Sequence, residues 1–190
     1  MRTDQKWYHL DQGPRQPGFV GYQGVLTIFP ATGKTGSTVV CPGSHKDFVA
    51  NCARGGKQPR GPFVRLTAPG DADYCAAKAV QLAPLGAGDL VVWDSRVVHC
   101  SNGAAASLRP ADVREARGLA PEAPQPSLLR LMAYIAMMPR SRASARQLEQ
   151  RRDAVRRGTG SGHDPLKVRA SAPSRHYRAP AGDDPRWRLV

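Results

Sequence analysis

The sequence predicts a mainly β jelly-roll barrel, followed by a basic helix and an irregular tail. Short β-rich segments separated by glycine-containing turns run through the first three quarters of the chain, and no long helical pattern interrupts them. After residue 139 the chain becomes rich in arginine and poor in apolar residues. A chain of 190 residues is long enough for one barrel core. We therefore expect a jelly-roll domain over residues 1–140 and a helix with an extended tail over residues 141–190.

The strands are predicted from short apolar or β-branched segments that are bounded by turn residues. The segment 90–93 is continuously apolar and follows Gly88-Asp89, which predicts a buried strand. Strands are expected at 6–11, 20–29, 37–41, 80–83, 90–93 and 130–138, and a short one can form at 63–66.

Helices and loops complete the predicted order. A short helix is expected at 46–53, after the turn that ends strand 37–41, and a glycine-, proline- and lysine/arginine-containing loop at 55–73. The last helix is expected at 141–157, because Ser144 and Gln147 have the spacing of a capping box. Glycines from residue 158 end that helix, and the remaining tail is predicted to be irregular.

One group of residues has the composition of a metal site. Side chains two apart on a strand point to the same face, so His9 and Asp11 can both enter a barrel interior, and His99 can approach from a distant strand. Two imidazoles and one carboxylate can hold Fe(II) by one face and leave the other face open. The alternative is that these are ordinary hydrogen-bonded residues, since a His-x-Asp tripeptide is common by chance.

Three segments together resemble the phytanoyl-CoA dioxygenase family, whose members are Fe(II)- and 2-oxoglutarate-dependent oxygenases with a double-stranded β-helix core. The resemblance covers roughly residues 5–140. It implies iron ligands at His9, Asp11 and His99, dioxygen as a cosubstrate, and hydroxylation of an aliphatic carbon in a small-molecule or lipid-like substrate. The three segments are residues 7–12, the tract from Thr32-Gly33 to Pro42-Gly43-Ser44-His45, and Gly88-Asp89 through Trp93-Asp94-Ser95-Arg96 to His99.

The resemblance also implies an arginine that binds the far carboxylate of 2-oxoglutarate, because a guanidinium can donate two parallel hydrogen bonds to a carboxylate. Arg130 opens the predicted strand 130–138, which is where the family carries this residue, and it is our first choice. Arg109 follows His99 by ten residues in a loop-like segment and is the second choice. If Arg130 is correct, residues 111–127 form an inserted surface loop.

Four further residues are candidates for the lining of the pocket. Gln12 and Gln23 can line it or can be surface amides, and the sequence does not separate the two. Trp93 and Arg96 lie shortly before His99. Arg96 can form a local ion pair with Asp94 at the entrance, and the alternative is ordinary surface charge.

The position of the His-x-Asp pair near the start of the sequence leaves a second interpretation open. Family members carry helices and at least one strand ahead of this pair, so the resemblance implies an N-terminally truncated chain that lacks the usual front end. Such a chain can be an active dioxygenase, or it can be a cupin-like barrel that binds a metal or a ligand without turnover.

The formal net charge of +13 suggests a third, weaker interpretation. A basic tail can bind nucleic acid through the release of counterions from the phosphate backbone. No aromatic stacking platform or known nucleic-acid-binding pattern accompanies the charge, so nucleic acid is an unlikely partner. A solvated basic surface explains the composition equally well.

The remaining composition predicts a cytoplasmic protein. No apolar run is long enough to span a membrane, and the first residues contain no signal-peptide core. The cysteines show no Cys-x-x-Cys pair, so we expect free thiols in a reducing compartment. They are Cys41, Cys52, Cys75 and Cys100.

Overall fold

A computed structural model describes residues 7–55, 63–160, 164–167 and 176–189 of the chain. The protein is mainly β with two antiparallel sheets and a few helices, which confirms the mainly β part of the prediction. The contacts divide the chain into two compact units, Met1–Ile135 and Ala136–Val190. In the described part of the chain, no helix combines the length and the apolar character needed to cross a membrane.

The strands and helices largely follow the order predicted from the sequence. Short 3₁₀ turns accompany them at Ser44–Asp47, Arg140–Arg142 and Pro185–Leu189. The α-helices are α1 (Phe48–Arg54), α2 (Asp71–Ala76), α3 (Pro110–Ala116) and α4 (Ala145–Arg157). The strands are β1 (His9–Leu10), β2 (Tyr22–Phe29), β3 (Thr38–Val40), β4 (Val64–Arg65), β5 (Val80–Gln81), β6 (Leu90–Asp94), β7 (His99–Ser101) and β8 (Leu131–Met137).

The order of the strands brings distant parts of the sequence together. One sheet has five strands in the order β4-β1-β7-β3-β5, and the other has three in the order β6-β2-β8. In the first sheet His9 lies directly opposite His99, and Val40 is the partner of His99 on its other side. In the second sheet Gln23 lies directly opposite Trp93.

The five-stranded sheet separates the larger core cluster from the predicted metal ligands. Leu10 and Cys100 belong to this cluster, whereas the neighbouring residues His9 and His99 point to the other face because side chains alternate along a strand. All four cysteines lie among the described residues, where they are buried and form no disulfide, as the sequence predicted. The cluster consists of Tyr8, Leu10, Val39, Cys41, Phe48, Cys52, Val64, Leu66, Cys75, Val98 and Cys100.

A smaller core cluster forms where the two sheets face each other. Its buried members are Val25, Trp93 and Val97, and side chains from β3, β6 and β8 pack against them. We call the sides of the sheets that face this cluster the inner faces. His9, His99 and Val40 lie on the inner face of the five-stranded sheet, and Gln23, Val25 and Trp93 on that of the three-stranded sheet.

One prediction about a strand was wrong, and one strand was missed. Strand β6 is buried on one side only, because Val91 and Trp93 point inward while Leu90 and Val92 point outward and are 52% and 43% exposed. Strand β7 was not among the predicted strands. A turn follows β6, and His99 begins strand β7 in the other sheet.

Two helices were also missed. The segment 111–127 was expected to be a loop, but α3 occupies its first part, with Pro110 at the first helical position and the Asp112 carboxylate accepting the Arg109 backbone N–H at 2.8 Å. Helix α2 lies at the end of the expected loop 55–73, where Asp71 accepts the Ala68 N–H at 2.7 Å. Residues 56–62 of that loop lie outside the described residues.

The second unit contains the predicted basic helix. The capping box is confirmed: Ser144 Oγ accepts the Gln147 N–H at 3.3 Å, and Gln147 Oε1 accepts the Ser144 N–H at 2.9 Å. The helix ends at Gly158, whose φ is +67°. The tail was predicted to be irregular throughout, but residues Pro185–Leu189 form a 3₁₀ turn.

Gly36 occupies a position that should accept no side chain. Its φ is +87°, and a Cβ there would lie 2.5 Å from the Asn102 carbonyl oxygen. We expect Gly36→Ala to lower the free energy of unfolding by about 2 kcal/mol or more, because the left-handed backbone and the backbone clash both oppose it.

Urea denaturation measures this loss, and Gly33→Ala in the same loop is the matched control. A Cβ at Gly33 would meet no atom within 4 Å, so that variant should stay within about 0.5 kcal/mol of the parent. Equal stability of the two variants would contradict the geometry described for this loop.

Candidate metal centre

The structure brings the three predicted metal ligands together. His9 and His99 face each other across the β1–β7 pair, and Asp11 follows β1 with two-residue spacing from His9. The ligand atoms of these residues all lie within 4.8 Å of one another. Among the described residues, this is the one group of three or more His, Cys, Asp or Glu side chains that could hold a metal ion.

The ligand atoms are buried and converge on one point. The exposed fractions are 3% for His9, 9% for Asp11 and 6% for His99. Asp11 Oδ2 lies 3.8 Å from Nε2 of His9 and 3.3 Å from Nε2 of His99. One carboxylate oxygen therefore faces both imidazoles on the inner face of the sheet.

Backbone carbonyls fix the orientation of both imidazoles. His9 Nδ1 lies 3.0 Å from the Trp7 carbonyl oxygen, and His99 Nδ1 lies 2.9 Å from the Val97 carbonyl oxygen. A carbonyl can only accept, so Nδ1 must carry the proton in each ring. In the neutral form, the lone pair is then on Nε2, which is the atom that faces Asp11.

This arrangement could hold a cation. Two Nε2 lone pairs and a carboxylate oxygen repel one another when they converge in a buried site, unless a positive charge lies among them. A proton on one imidazole can satisfy two of the three groups, whereas a divalent metal ion satisfies all three.

Gln23 supports the carboxylate from the opposite sheet. Its side chain is 5% exposed, and Nε2 donates to Asp11 Oδ2 at 2.8 Å. Gln23 was one of two glutamines predicted to line the pocket, and the structure places it against a predicted metal ligand. Ligands of metal sites are commonly held by hydrogen bonds of this kind.

The other predicted glutamine has a different position. Gln12 Nε2 donates to the carbonyl oxygens of Gln16 and Gly18, both at 2.6 Å, and Gln12 Oε1 accepts from Ser95 Oγ at 2.6 Å. Gln12 therefore joins the loop between β1 and β2 to the turn after β6. Its polar atoms are used in these bonds and not in contacts with the three ligands.

Three aromatic rings surround the imidazoles. Trp7 stacks on His9 with ring centroids 4.3 Å apart, and Phe63 lies 4.9 Å from the same ring. Trp93, a predicted pocket residue, lies 5.2 Å from the His99 ring. Trp7 and Phe63 were not predicted. The two-residue spacing of Trp7 and His9 could have indicated that Trp7 lies near the site. Phe63 reaches the site because β1 pairs with β4, which is a long-range contact.

Arg96 forms a local ion pair with Asp94, which was one of the two alternatives that the sequence left open. Its Nε and Nη2 donate to the two carboxylate oxygens of Asp94 at 3.0 and 2.7 Å. Burial alone would raise the pKa of Asp94, but the hydrogen bonds and charge of Arg96 outweigh burial and lower it. Because its guanidinium is engaged in this pair, Arg96 shapes the turn before β7.

The two candidate arginines differ in their surroundings. Arg130 precedes β8 and is half-buried, and its Nη1 is buried without a hydrogen-bond partner among the described residues. Burial lowers the pKa of Arg130, since the cation has lost water contacts. The side chain of Arg109 is 71% exposed and pairs with Asp112 at 3.1 Å.

A family model described as phytanoyl-CoA dioxygenase (PhyH) matches residues 2–110, which is more than half of the chain. The chain belongs to the phytanoyl-CoA dioxygenase family. The matched segment contains all three predicted ligands and Arg109, and it ends before Arg130. No curated protein and no solved structure matches the chain.

Membership in the phytanoyl-CoA dioxygenase family implies the oxygenase class of enzyme, and members of the family use Fe(II) and 2-oxoglutarate. The described residues include groups that suit Fe(II) and groups that suit 2-oxoglutarate. Two imidazoles and one carboxylate are the ligand set of non-haem Fe(II) oxygenases. The unpaired Nη1 of Arg130 suits a carboxylate, and the buried hydroxyls of Thr27 and Thr38 also lack partners within the described ranges.

The hydrogen bond from Gln23 to Asp11 leads to a prediction about metal affinity. We expect Gln23→Leu to weaken the binding of Co(II) by about 10–100-fold, because the carboxylate loses the bond that orients it. Absorption spectroscopy of the Co(II) complex measures the affinity.

Gln81→Leu is the matched control for this variant. Gln81 is likewise a glutamine on a strand, but it is half-buried and lies on β5, which pairs with β3 at the edge of the five-stranded sheet. Its replacement should leave the Co(II) affinity unchanged. Equal losses in the two variants would show that Gln23 acts through general stability.

Proposed function

We propose that this chain is an Fe(II)- and 2-oxoglutarate-dependent dioxygenase that hydroxylates an aliphatic carbon of a small-molecule or lipid-like substrate. The observation that carries the proposal is the convergence of His9 Nε2, His99 Nε2 and Asp11 Oδ2 on one buried point. Family membership supports the same class of reaction.

His9, Asp11 and His99 would hold the metal through one face of its coordination sphere. When bound, Fe(II) and 2-oxoglutarate supply the chemistry that activates dioxygen, and 2-oxoglutarate is converted into succinate and carbon dioxide. The Trp7 and Val97 carbonyls keep both Nε2 lone pairs directed at the metal position. Gln23 keeps the Asp11 carboxylate in place.

Arg130 is our candidate for binding the far carboxylate of 2-oxoglutarate. Its buried, unpaired Nη1 supports this role, because a carboxylate would supply both the missing hydrogen-bond acceptor and the missing negative charge. Arg109 stays the second candidate, since it lies within the family match and has the short spacing from His99. Arg109 is the weaker candidate because its guanidinium already pairs with the Asp112 carboxylate.

The aromatic residues around the imidazoles would exclude water from the metal. Trp7 and Phe63 lie against His9, and Trp93 against His99. A dry surrounding strengthens the electrostatic interactions of the ligands and prevents side reactions with solvent.

We further propose that the two antiparallel sheets are the two halves of a double-stranded β-helix. Their inner faces share the smaller core cluster, and the proposed metal centre lies beside it. In this proposal residues 1–140 form the oxygenase-like domain, and residues 141–190 form a basic helix with an extended tail.

The formation of succinate tests the enzymatic proposal. The Fe(II)-loaded protein should convert 2-oxoglutarate into succinate only in the presence of dioxygen, and His99→Ala should remove this activity. A chain that binds the metal but forms no succinate with dioxygen would instead be a non-catalytic metal-binding barrel.

A further inference from the structure

Gln23 and Trp93 form a pair of polar side chains on the inner face of the three-stranded sheet. They are direct cross-strand partners in the β2–β6 pairing, and side chains of such partners lie side by side on the same face. Their exposed fractions are 5% and 8%. Two polar groups are therefore buried next to each other in the space between the sheets.

Each of these side chains has one polar atom without a hydrogen-bond partner among the described residues. The atoms are the amide oxygen Oε1 of Gln23 and the indole nitrogen Nε1 of Trp93. A buried polar atom without a partner costs free energy, so such atoms are rare in native proteins and usually have a functional reason. Here one unpaired acceptor and one unpaired donor belong to neighbouring residues.

The pair borders the candidate metal centre. Gln23 Nε2 is 2.8 Å from Asp11 Oδ2, and the Trp93 ring centroid is 5.2 Å from that of His99. Each residue of the pair thus contacts a different predicted ligand. Both contacts come from the inner face of the three-stranded sheet.

We propose that Gln23 Oε1 and Trp93 Nε1 together bind a polar group of the substrate that both donates and accepts a hydrogen bond, namely a hydroxyl or a primary carboxamide. This inference rests on the proposed dioxygenase function and names the class of its substrate. The substrate carries this group close to the carbon that is hydroxylated.

The chemistry of the two atoms selects among substrate groups. An indole N–H can only donate and an amide oxygen can only accept, so a hydroxyl satisfies both at once. A carboxylate has no hydrogen to donate, and Gln23 Oε1 would repel its negative charge, so it should not bind between the two atoms. A purely apolar group would leave both atoms unpaired, and a site built for a polar group discriminates strongly against its apolar analogue.

Binding of small probes to the Zn(II)-loaded protein tests this inference without turnover. The probes are 1-hexanol, hexanamide, hexanoate and hexane, and the readout is the indole N–H resonance of Trp93, assigned by its loss in Trp93→Phe. Hexanol and hexanamide should move this resonance downfield, whereas hexane and hexanoate should not. Trp93→Phe should weaken the binding of hexanol about fivefold, as expected for one hydrogen bond.

Trp7 supplies an internal control in the same spectrum. Its ring also lies against a predicted ligand, but its Nε1 already donates to the Ser101 carbonyl oxygen at 3.2 Å. The Trp7 resonance should therefore move little with any probe. The comparison separates hydrogen bonding at Trp93 from a general effect of probes near the metal.

Three results would overturn the inference. They are a Trp93 resonance that hexanol does not move, equal shifts with hexane and hexanol, and a Trp93 N–H that is already bonded to Gln23 in the probe-free protein. A failure of the protein to bind Zn(II) would instead contradict the proposed function. Because zinc binding is measured first, the two failures are distinguishable.

Discussion

Replacing His99 with alanine should weaken the binding of Co(II), a spectroscopic substitute for Fe(II), by more than about 100-fold. The variant loses one of three ligand atoms that lie within 4.8 Å of one another, and two protein ligands hold a divalent ion poorly. His9→Ala should have the same effect, since its imidazole occupies the equivalent place on the neighbouring strand. Visible absorption during a Co(II) titration measures the loss.

His45→Ala is the matched control for both variants. His45 lies in the 3₁₀ turn Ser44–Asp47 and is not part of the triad, so its replacement should leave Co(II) binding intact. Circular dichroism would verify that each variant is folded. A folded His99→Ala protein with parental affinity for Co(II) would remove the basis for the metal centre.

Replacing Arg130 with leucine should weaken the binding of 2-oxoglutarate to the metal-loaded protein by more than about 30-fold. The removal of one partner from a buried, hydrogen-bonded charge pair costs about 2–5 kcal/mol. Arg130 is half-buried, and its Nη1 has no hydrogen-bond partner within the described residues. A bound carboxylate would supply this atom with an acceptor and the guanidinium with a negative charge. Equilibrium titration under anaerobic conditions provides the measurement.

Arg109→Leu distinguishes the two arginines. Because Arg109 is largely exposed and pairs with Asp112, its replacement should change 2-oxoglutarate affinity by less than about twofold, as expected for an exposed ion pair. A large loss in Arg109→Leu together with none in Arg130→Leu would reverse the assignment. It would then place the carboxylate site inside the segment that the family model matches.

The sequence predicted the triad because its members follow simple strand rules. His9 and Asp11 share a face by two-residue spacing, and apolar segments bounded by turns predicted most strands to within a few residues. The sequence could not show that the chain turns after β6 and that His99 begins a strand in the other sheet. That outcome depends on which strands pair, and pairing is a long-range property of the fold.

The two glutamines show a second limit of the sequence. Gln12 and Gln23 were equivalent candidates, yet Gln12 holds a loop while Gln23 contacts Asp11 from the opposite sheet. The contact of Gln23 depends on how closely the sheets approach each other. Helix α3 was missed for a local reason, because Pro110 and Asp112 at its start were not recognised as capping residues.

An anaerobic titration of the unaltered protein with Fe(II) and 2-oxoglutarate tests the central claim most directly. If His9, Asp11 and His99 hold iron by one face, 2-oxoglutarate can chelate it at the open face, and a visible charge-transfer band should grow to saturation at one equivalent of iron. A folded protein that binds neither iron nor 2-oxoglutarate, with no such band, would contradict the proposed dioxygenase centre.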